Sequence, residues 1–465
     1  MKRRLTALAL LLAVLASACG VSALAKGAAQ SPAKSAEEKA RAAEQKQEET
    51  ADTETEEPKP EVGTPPVEQA GTLAGPNLED QITLEPDPVG QVTFANVESR
   101  MRQNNLQILT LEQSILSLEE IDYEELYEDL RQQLNQIAKT QWQLVNSRDT
   151  MIQLGMMSDY EYHSTYDQLD KAYDAVRDTF ESIKEGDMQR DNADVIRQLN
   201  HLQDQIVMAG ESLYIALAAM ELQAENLRRQ DGALDRTVEE LELRYRMGQI
   251  SAMQLGEAKA GRTSLESGLA TLRMNIENYK IQLEMLLGAE QTGAIALGPV
   301  PEVTDGQLAE LDLEKDLAAA KEKSYELYDA GKTVEQARDD YKDAGNNWGY
   351  NEEKYEFRNA RRTWQAAQYT YNNTVQNYEL KFRTLYAQVR DYRQILEAAR
   401  AALSSQQDSY RASELKYQQG TISKNTLLAA EDELRSKENA VISAQGDLFS
   451  AYNSYRWAVE HGILN

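Results

Sequence analysis

A single thiol is the only side chain in this sequence with an evident covalent chemistry. Cys19 is the chain's one cysteine. It follows Ala16-Ser17-Ala18, at the end of an apolar run from Leu5 to Ala16 that Lys2-Arg3-Arg4 precede. Cations, a short apolar stretch and small residues before a cysteine make an export signal in which Cys19 becomes a lipidated first residue. Ala23-Leu24-Ala25 offers a second reading, ordinary cleavage after residue 25, with Cys19 merely an apolar residue of a discarded segment. The run of about twelve residues is too short to span a bilayer as a stable helix. Both readings send the mature chain out of the cytoplasm.

The remaining inventory points away from catalysis. The three histidines, His163, His201 and His461, are far apart in sequence, and neither they nor any cysteine fall at metal-ligand spacing. They read as surface residues. No nucleophile elbow, phosphate loop or dinucleotide fingerprint occurs. Acidic pairs such as Glu119-Glu120, Glu124-Glu125 and Glu239-Glu240 read as solvated helix faces. The sequence therefore predicts no enzyme, no cofactor and no metal. A net charge of −28 repels nucleic acid and anionic lipid surfaces, which removes DNA- and RNA-binding functions.

A repeated spacing is more informative. Leu243-Arg-Tyr-Arg-Met-Gly-Gln-Ile-Ser251 returns as Leu415-Lys-Tyr-Gln-Gln-Gly-Thr-Ile-Ser423. The register holds beyond the motif, so that Leu213, Leu255 and Ala258 meet Leu385, Leu427 and Ala430. A chain that repeats a helix–glycine–helix unit in phase builds the same long object twice. The chemistry of the motif is that of a turn: Gly248 and Gly420 supply left-handed helix ends, and Ser251 and Ser423 cap the returning helices. Both halves also open alike, Thr93-Phe94 … Asn104-Asn105-Leu106 against Asp312-Leu313 … Lys323-Ser324-Tyr325.

The elements that must carry these turns are long helices. All prolines lie at or before residue 88 or at 299 and 301, which leaves 89–298 and 302–465 free of the residue that breaks helix interiors. Tyr371, Val375, Tyr378, Phe382, Leu385, Val389, Tyr392 and Leu396 step by four and three in alternation, a heptad seam. Matching seams run Leu213 to Tyr245, interrupted once at Asp231-Gly232, then Leu255 to Leu286, and Leu427 to Tyr455 with Lys437 as an intruder. Residues 353–418, without proline or glycine, predict one helix of about 100 Å. The sequence thus divides into a signal segment 1–25, an acidic and proline-rich tether 26–89, a first helical repeat 90–298 and a second 299–465. The tether holds too few apolar residues to offset its chain entropy.

On the two motifs Tyr245-x-x-Gly248-x-x-Ser251, closing at Leu286-Leu287-Gly288, and Tyr417-x-x-Gly420-x-x-Ser423, residues 90–465 resemble the TolC family of bacterial outer-membrane efflux proteins. The resemblance implies an all-α protomer of very long antiparallel coiled-coil helices in two tandem repeats, with little or no strand. Three such chains would form a hollow helical cylinder. Its opening tip, Met247, Gly248, Gln249, Ile250 and Ser251 with Gln419, Gly420, Thr421, Ile422 and Ser423, would dock a periplasmic adaptor of an inner-membrane pump.

The sequence departs from that family at the far turns, where two strands of a membrane barrel are due in each repeat. A spanning strand needs about 9–11 alternating residues. The far turn of the second half, read as Ala344 to Tyr350, is too short for two. Residues 147–190 are long enough, but Leu169, Ala172, Tyr173, Val176 and Phe180 recur there at helical spacing. The barrel is therefore expected to be missing. Trp348 and Tyr350 at the far turn are rings suited to a membrane or a wall polymer. The expected function is an efflux or export component of the cell envelope, in an outer membrane or lipid-anchored at the surface of a single-membrane cell. The alternative is a surface-anchored coiled-coil scaffold without transport.

Overall fold

A computed structural model describes residues 87, 88 and 90–464. The expected signal segment with Cys19, and all of the tether except Asp87 and Pro88, lie outside the described residues.

The described chain is all-α. Two-residue strands β1 (Gln91–Val92) and β2 (Ala296–Leu297) pair in parallel, Gln91 with Ala296 and Val92 with Leu297. Between and after them run α1 (Phe94–Asn104), α2 (Leu106–Glu119), α3 (Tyr123–Gln153), α4 (Asp159–Lys184), α5 (Asp187–Arg246), α6 (Ala252–Leu286), α7 (Asp305–Ala309), α8 (Leu313–Lys323), α9 (Tyr325–Trp348), α10 (Tyr355–Gln418) and α11 (Lys424–His461).

The heptad seams explain the long elements. α10 is one helix of 64 residues, about 95 Å at 1.5 Å per residue. Tyr378, Phe382, Val389 and Leu396 of its seam are buried and the other four positions half-buried. α5 runs unbroken for 60 residues. Asp231-Gly232 interrupts the seam but not the helix, because neighbouring Leu234 and Val238 keep the seam against adjacent helices, and a lone helical glycine costs only about 1 kcal/mol. Tyr245, read as the last seam position of α5, is instead exposed, since the helix ends one residue later.

Four long helices lie side by side in the order α6, α5, α11, α10. Ion pairs stitch α5 to α6, Lys280 to Glu221 at 2.8 Å and Arg262 to Asp235 at 2.6 Å. Arg236 pairs with Asp432 between α5 and α11. α1 and α2 pack on α5, α8 on α11, and α9 on α10.

The core sits where the short helices cross this layer. Met101 of α1 and Ala320 of α8 are both fully buried, and each short helix hands over to the next at a single extended residue, Asn105 or Ser324, whose side chain caps the new helix. Gly288 and Gly462, both left-handed, end α6 and α11 against those two joints. Tyr214 donates to the carbonyl of Gly298 at 2.8 Å, and Tyr378 to those of Ala320 and Gly462 at 3.0 and 3.1 Å. Burial pushes both phenols up to about 12, so they stay neutral donors. Buried Glu211 accepts from Asn453 at 2.8 Å and the Trp457 indole at 2.6 Å and pairs with Arg456, tying α5 to α11. The core is therefore shared between the two halves of the sequence.

The two halves differ at the far turns. In the second, the helix continues through Gly345 to Trp348, so the turn lies at 349–354, later than the expected 344–350. Tyr350, with φ of +56°, folds its ring back over Gly345. In the first half, residues 147–190 form the end of α3, a tight turn, α4, and the start of α5. Tyr127 and Phe180 stack at 4.6 Å between α3 and α4. Among the described residues no strand is longer than two.

Candidate functional site: the paired hairpin tips

Each tip is a helix stop followed at once by a helix start. At the first, Met247 is the C-cap of α5 and Gly248 turns left-handed at φ +72°. The Gly248 N–H donates to the Tyr245 carbonyl and that of Gln249 to the Arg244 carbonyl, both at 2.9 Å. Gln419, Gly420 (φ +71°) and Thr421 repeat this with Tyr417 and Lys416, again at 2.9 Å. This pair of bonds satisfies two of the orphan carbonyls that any helix end leaves.

The returning helix begins shortly after the turn in both. The Ser251 hydroxyl accepts from the Gln254 N–H at 3.2 Å while the Gln254 side chain takes the Ser251 N–H at 3.0 Å. Ser423 accepts from the Thr426 N–H at 3.2 Å. Ile250 and Ile422 are half-buried beneath the turn.

Because α5 lies against α11, the two tips come together at one end of the layer. Asn425 reaches Glu240 at 3.5 Å just behind them. All ten expected tip residues are thus brought into one surface, of which Met247, Gly248, Gln249, Ser251, Gln419, Gly420, Thr421 and Ser423 are exposed. Leu243, Tyr245, Leu415 and Tyr417 are exposed beside them at matching positions. The repeat alignment paired these four, and their pairing at both tips was the available signal. Lys259 holds the Glu242 carboxyl below its ordinary range, and Arg244 pairs with Glu240.

A third hairpin has the same backbone. At the end of α3, Gly155 (φ +67°) donates to Ile152 at 3.1 Å and Met156 to Met151 at 2.9 Å, and Ser158 with Glu161 forms a capping box for α4. Gly155-x-x-Ser158 has the spacing of Gly248-x-x-Ser251, but its neighbours in sequence differ.

Two histidines read as surface residues are half-buried. His201 stacks on Tyr325 at 4.9 Å, and His461 packs tilted against Trp457 at 4.4 Å and sets its Nδ1 2.9 Å from Asp204. Desolvation lowers His201's pKa, while desolvation of Asp204 is outweighed by His461 and Arg102, which hold that carboxyl below its usual range. These contacts pin α1, α5, α9 and α11 together. No cluster of three or more ligating side chains occurs among the described residues.

No family model matches the chain, and no curated protein matches it. Solved structures do. The outer membrane protein VceC of Vibrio cholerae is 18% identical over 59% of this chain and 74% of that one, with a TM-score of 0.41. A membrane protein of Pseudomonas aeruginosa is 13% identical over 79% and 90%, TM-score 0.46. The MtrE outer membrane channel of Neisseria gonorrhoeae, in its open state, is 15% identical over 62% and 72%, TM-score 0.41. The chain resembles the TolC-family outer-membrane channels. At such identities and scores the likeness says nothing of what this chain carries or binds, and its function rests on its own geometry.

Proposed function

We propose that this chain is one protomer of a TolC-like conduit in the cell envelope. One observation carries the reading: the layer of four long helices ends on α6 at one side and on α10, over part of which α9 packs, at the other, and both outer faces carry large exposed apolar side chains among polar ones. On α6, Met253, Met274 and Met285 are exposed on the side opposite buried Leu269 and Leu283. On α10, Tyr369, Leu380 and Ile395 are exposed on the side opposite buried Tyr378 and Phe382. One edge of one copy against the other edge of the next repeats around a ring and leaves no free edge. Three copies are the number the resemblance implies.

In this reading the paired tips form the mouth of the conduit. There the ten tip residues meet an adaptor of an inner-membrane pump. Lipidation at Cys19 would hold the chain at a membrane, and no reaction is catalysed. The helical α3–α4 segment, standing where barrel strands were due, favours a second reading, a surface-anchored scaffold with the same fold and no transport. Imaging of purified single particles separates them. A closed ring with a lumen is expected; a solid bundle or a lone chain would sink the conduit.

A further inference from the structure

The three glycine hairpins share a backbone and differ in side chains, and the difference is confined to one of them. The tip between α3 and α4 reads Thr150-Met-Ile-Gln-Leu-Gly-Met-Met-Ser158, a run without charge in a chain that is 27% charged. Around Gly155 stand Leu154, Met156 and Met157, where the other two tips place Met247, Gln249 and Ile250 or Gln419, Thr421 and Ile422. The other tips are also flanked by Arg244 and Arg246, or by Lys416 and Lys424.

Leu154 and Met156 are held outward, while Met157 is half-buried like Ile250 and Ile422. Leu154 is 65%, Met156 73% and neighbouring Tyr160 82% exposed. The left-handed glycine and the capping box on either side fix the turn, so the side chains have no loop slack with which to fold inward. Of the charges flanking the run, Arg148 pairs with Asp159 at 2.8 Å and lies over the Tyr162 ring at 5.1 Å, His163 sits 3.7 Å from Asp159, and Asp149 stands exposed 3.9 Å from Arg148. The α9–α10 hairpin, whose first helix also starts beside the beginning of α5 through Tyr328 and Asp194, ends in exposed rings as well, Trp348, Tyr350 and Tyr355.

The shape selects the occupant. A hairpin end is convex, and from Thr150 to Ser158 this one carries no charge. A bilayer interface takes such an end directly, burying apolar side chains about 5–10 Å deep, with tyrosine and tryptophan at headgroup level. The chain's −28 charge gives no attraction to anionic lipid, so apolar burial must supply the binding. We propose that the α3–α4 tip docks on a zwitterionic phospholipid bilayer, with Leu154 and Met156 entering the headgroup–acyl boundary and Tyr160 at headgroup level. This would fix the far end of the molecule at a membrane surface without any spanning strand.

The test uses the full chain with Cys19→Ser, which removes the acyl site and the only native thiol. Adding Met156→Cys then gives one position for an environment-sensitive dye. With phosphatidylcholine vesicles the dye's emission should shift to the blue and be quenched by brominated acyl chains, while the same dye at Gln249→Cys should not respond. Leu154→Glu with Met156→Glu should lower the co-sedimenting fraction about tenfold, with unchanged helical circular dichroism and melting. Adding phosphatidylglycerol should leave binding equal or weaker. The proposal is overturned by a silent dye at the tip, by undiminished sedimentation of the double glutamate variant, by binding that requires anionic lipid and is lost in high salt, or by uptake onto cell-wall polymer but not vesicles. None of these readouts requires a ring, so the conduit reading stands or falls separately.

Discussion

Four left-handed glycines end the long helices, and they belong to two physical classes. A methyl group on Gly248 or Gly420 would meet nothing within 4 Å. On Gly288 it would stand 2.5 Å from the Asn104 carbonyl oxygen, and on Gly462 it would run into the backbone at Ser324. Gly248→Ala and Gly420→Ala should therefore cost only backbone strain, about 1–2 kcal/mol each. Gly288→Ala and Gly462→Ala must also push α1 or α8 off the layer, and urea unfolding should show a loss at least about twice as large. Equal losses at all four would remove the distinction. The sequence could announce the first pair because each is followed by a serine three residues on, in phase between the halves. It also marked Gly288, at the end of Leu286-Leu287-Gly288. It could not announce that Gly288 touches Asn104, since that contact joins residues far apart in the chain with no periodicity in common. Gly155 shows the opposite failure. Its glycine-to-serine spacing was plain, but a comparison of the two halves had no second copy to set beside it.

At the scale of elements, apolar period was a better guide than individual breakers. All eight seam positions of α10 are buried or half-buried in one uninterrupted helix, and the helical spacing of Leu169 to Phe180 became α4. Asp231-Gly232 breaks the seam without breaking the helix, because a glycine weakens a helix by far less than a long seam stabilises it. That weakness remains available to experiment. Gly232 is helical and open, and a methyl group added there would meet nothing within 4 Å. Gly232→Ala should raise stability by about 0.5–1 kcal/mol, read as a higher melting temperature; a fall would mean that α5 bends there in solution. The far turns were harder to read. Gly345 and Gly349 lie within one turn of each other, and only the left-handed Gly349 ends α9. Tyr350 closes over Gly345, where a side chain would collide.

At the scale of the whole layer, the decisive property is that its two edges differ. α6 offers methionines, which are soft and adapt to irregular partners; α10 offers Tyr369, Leu380 and Ile395. A two-fold interface would pair like with like, whereas a ring pairs unlike edges. Met274 is 56% and Leu380 66% exposed in the single chain, so Met274→Glu or Leu380→Glu should change the stability of the isolated chain by less than about 0.5 kcal/mol. Phe382→Ala, at a site with no exposure, should cost about 3–5 kcal/mol. Either glutamate alone should abolish the proposed ring, because every interface in a head-to-tail ring uses one edge of each kind. Mixing the two variants makes the sharper test. A chain with Met274→Glu keeps an intact α10 edge, and a chain with Leu380→Glu keeps an intact α6 edge. One such junction can form between them, after which both remaining edges carry glutamate. The mixture should therefore stop at two chains by mass photometry while each variant alone stays single. A ring in the mixture, or pairing of either variant with itself, would show that the copies meet through some other surface.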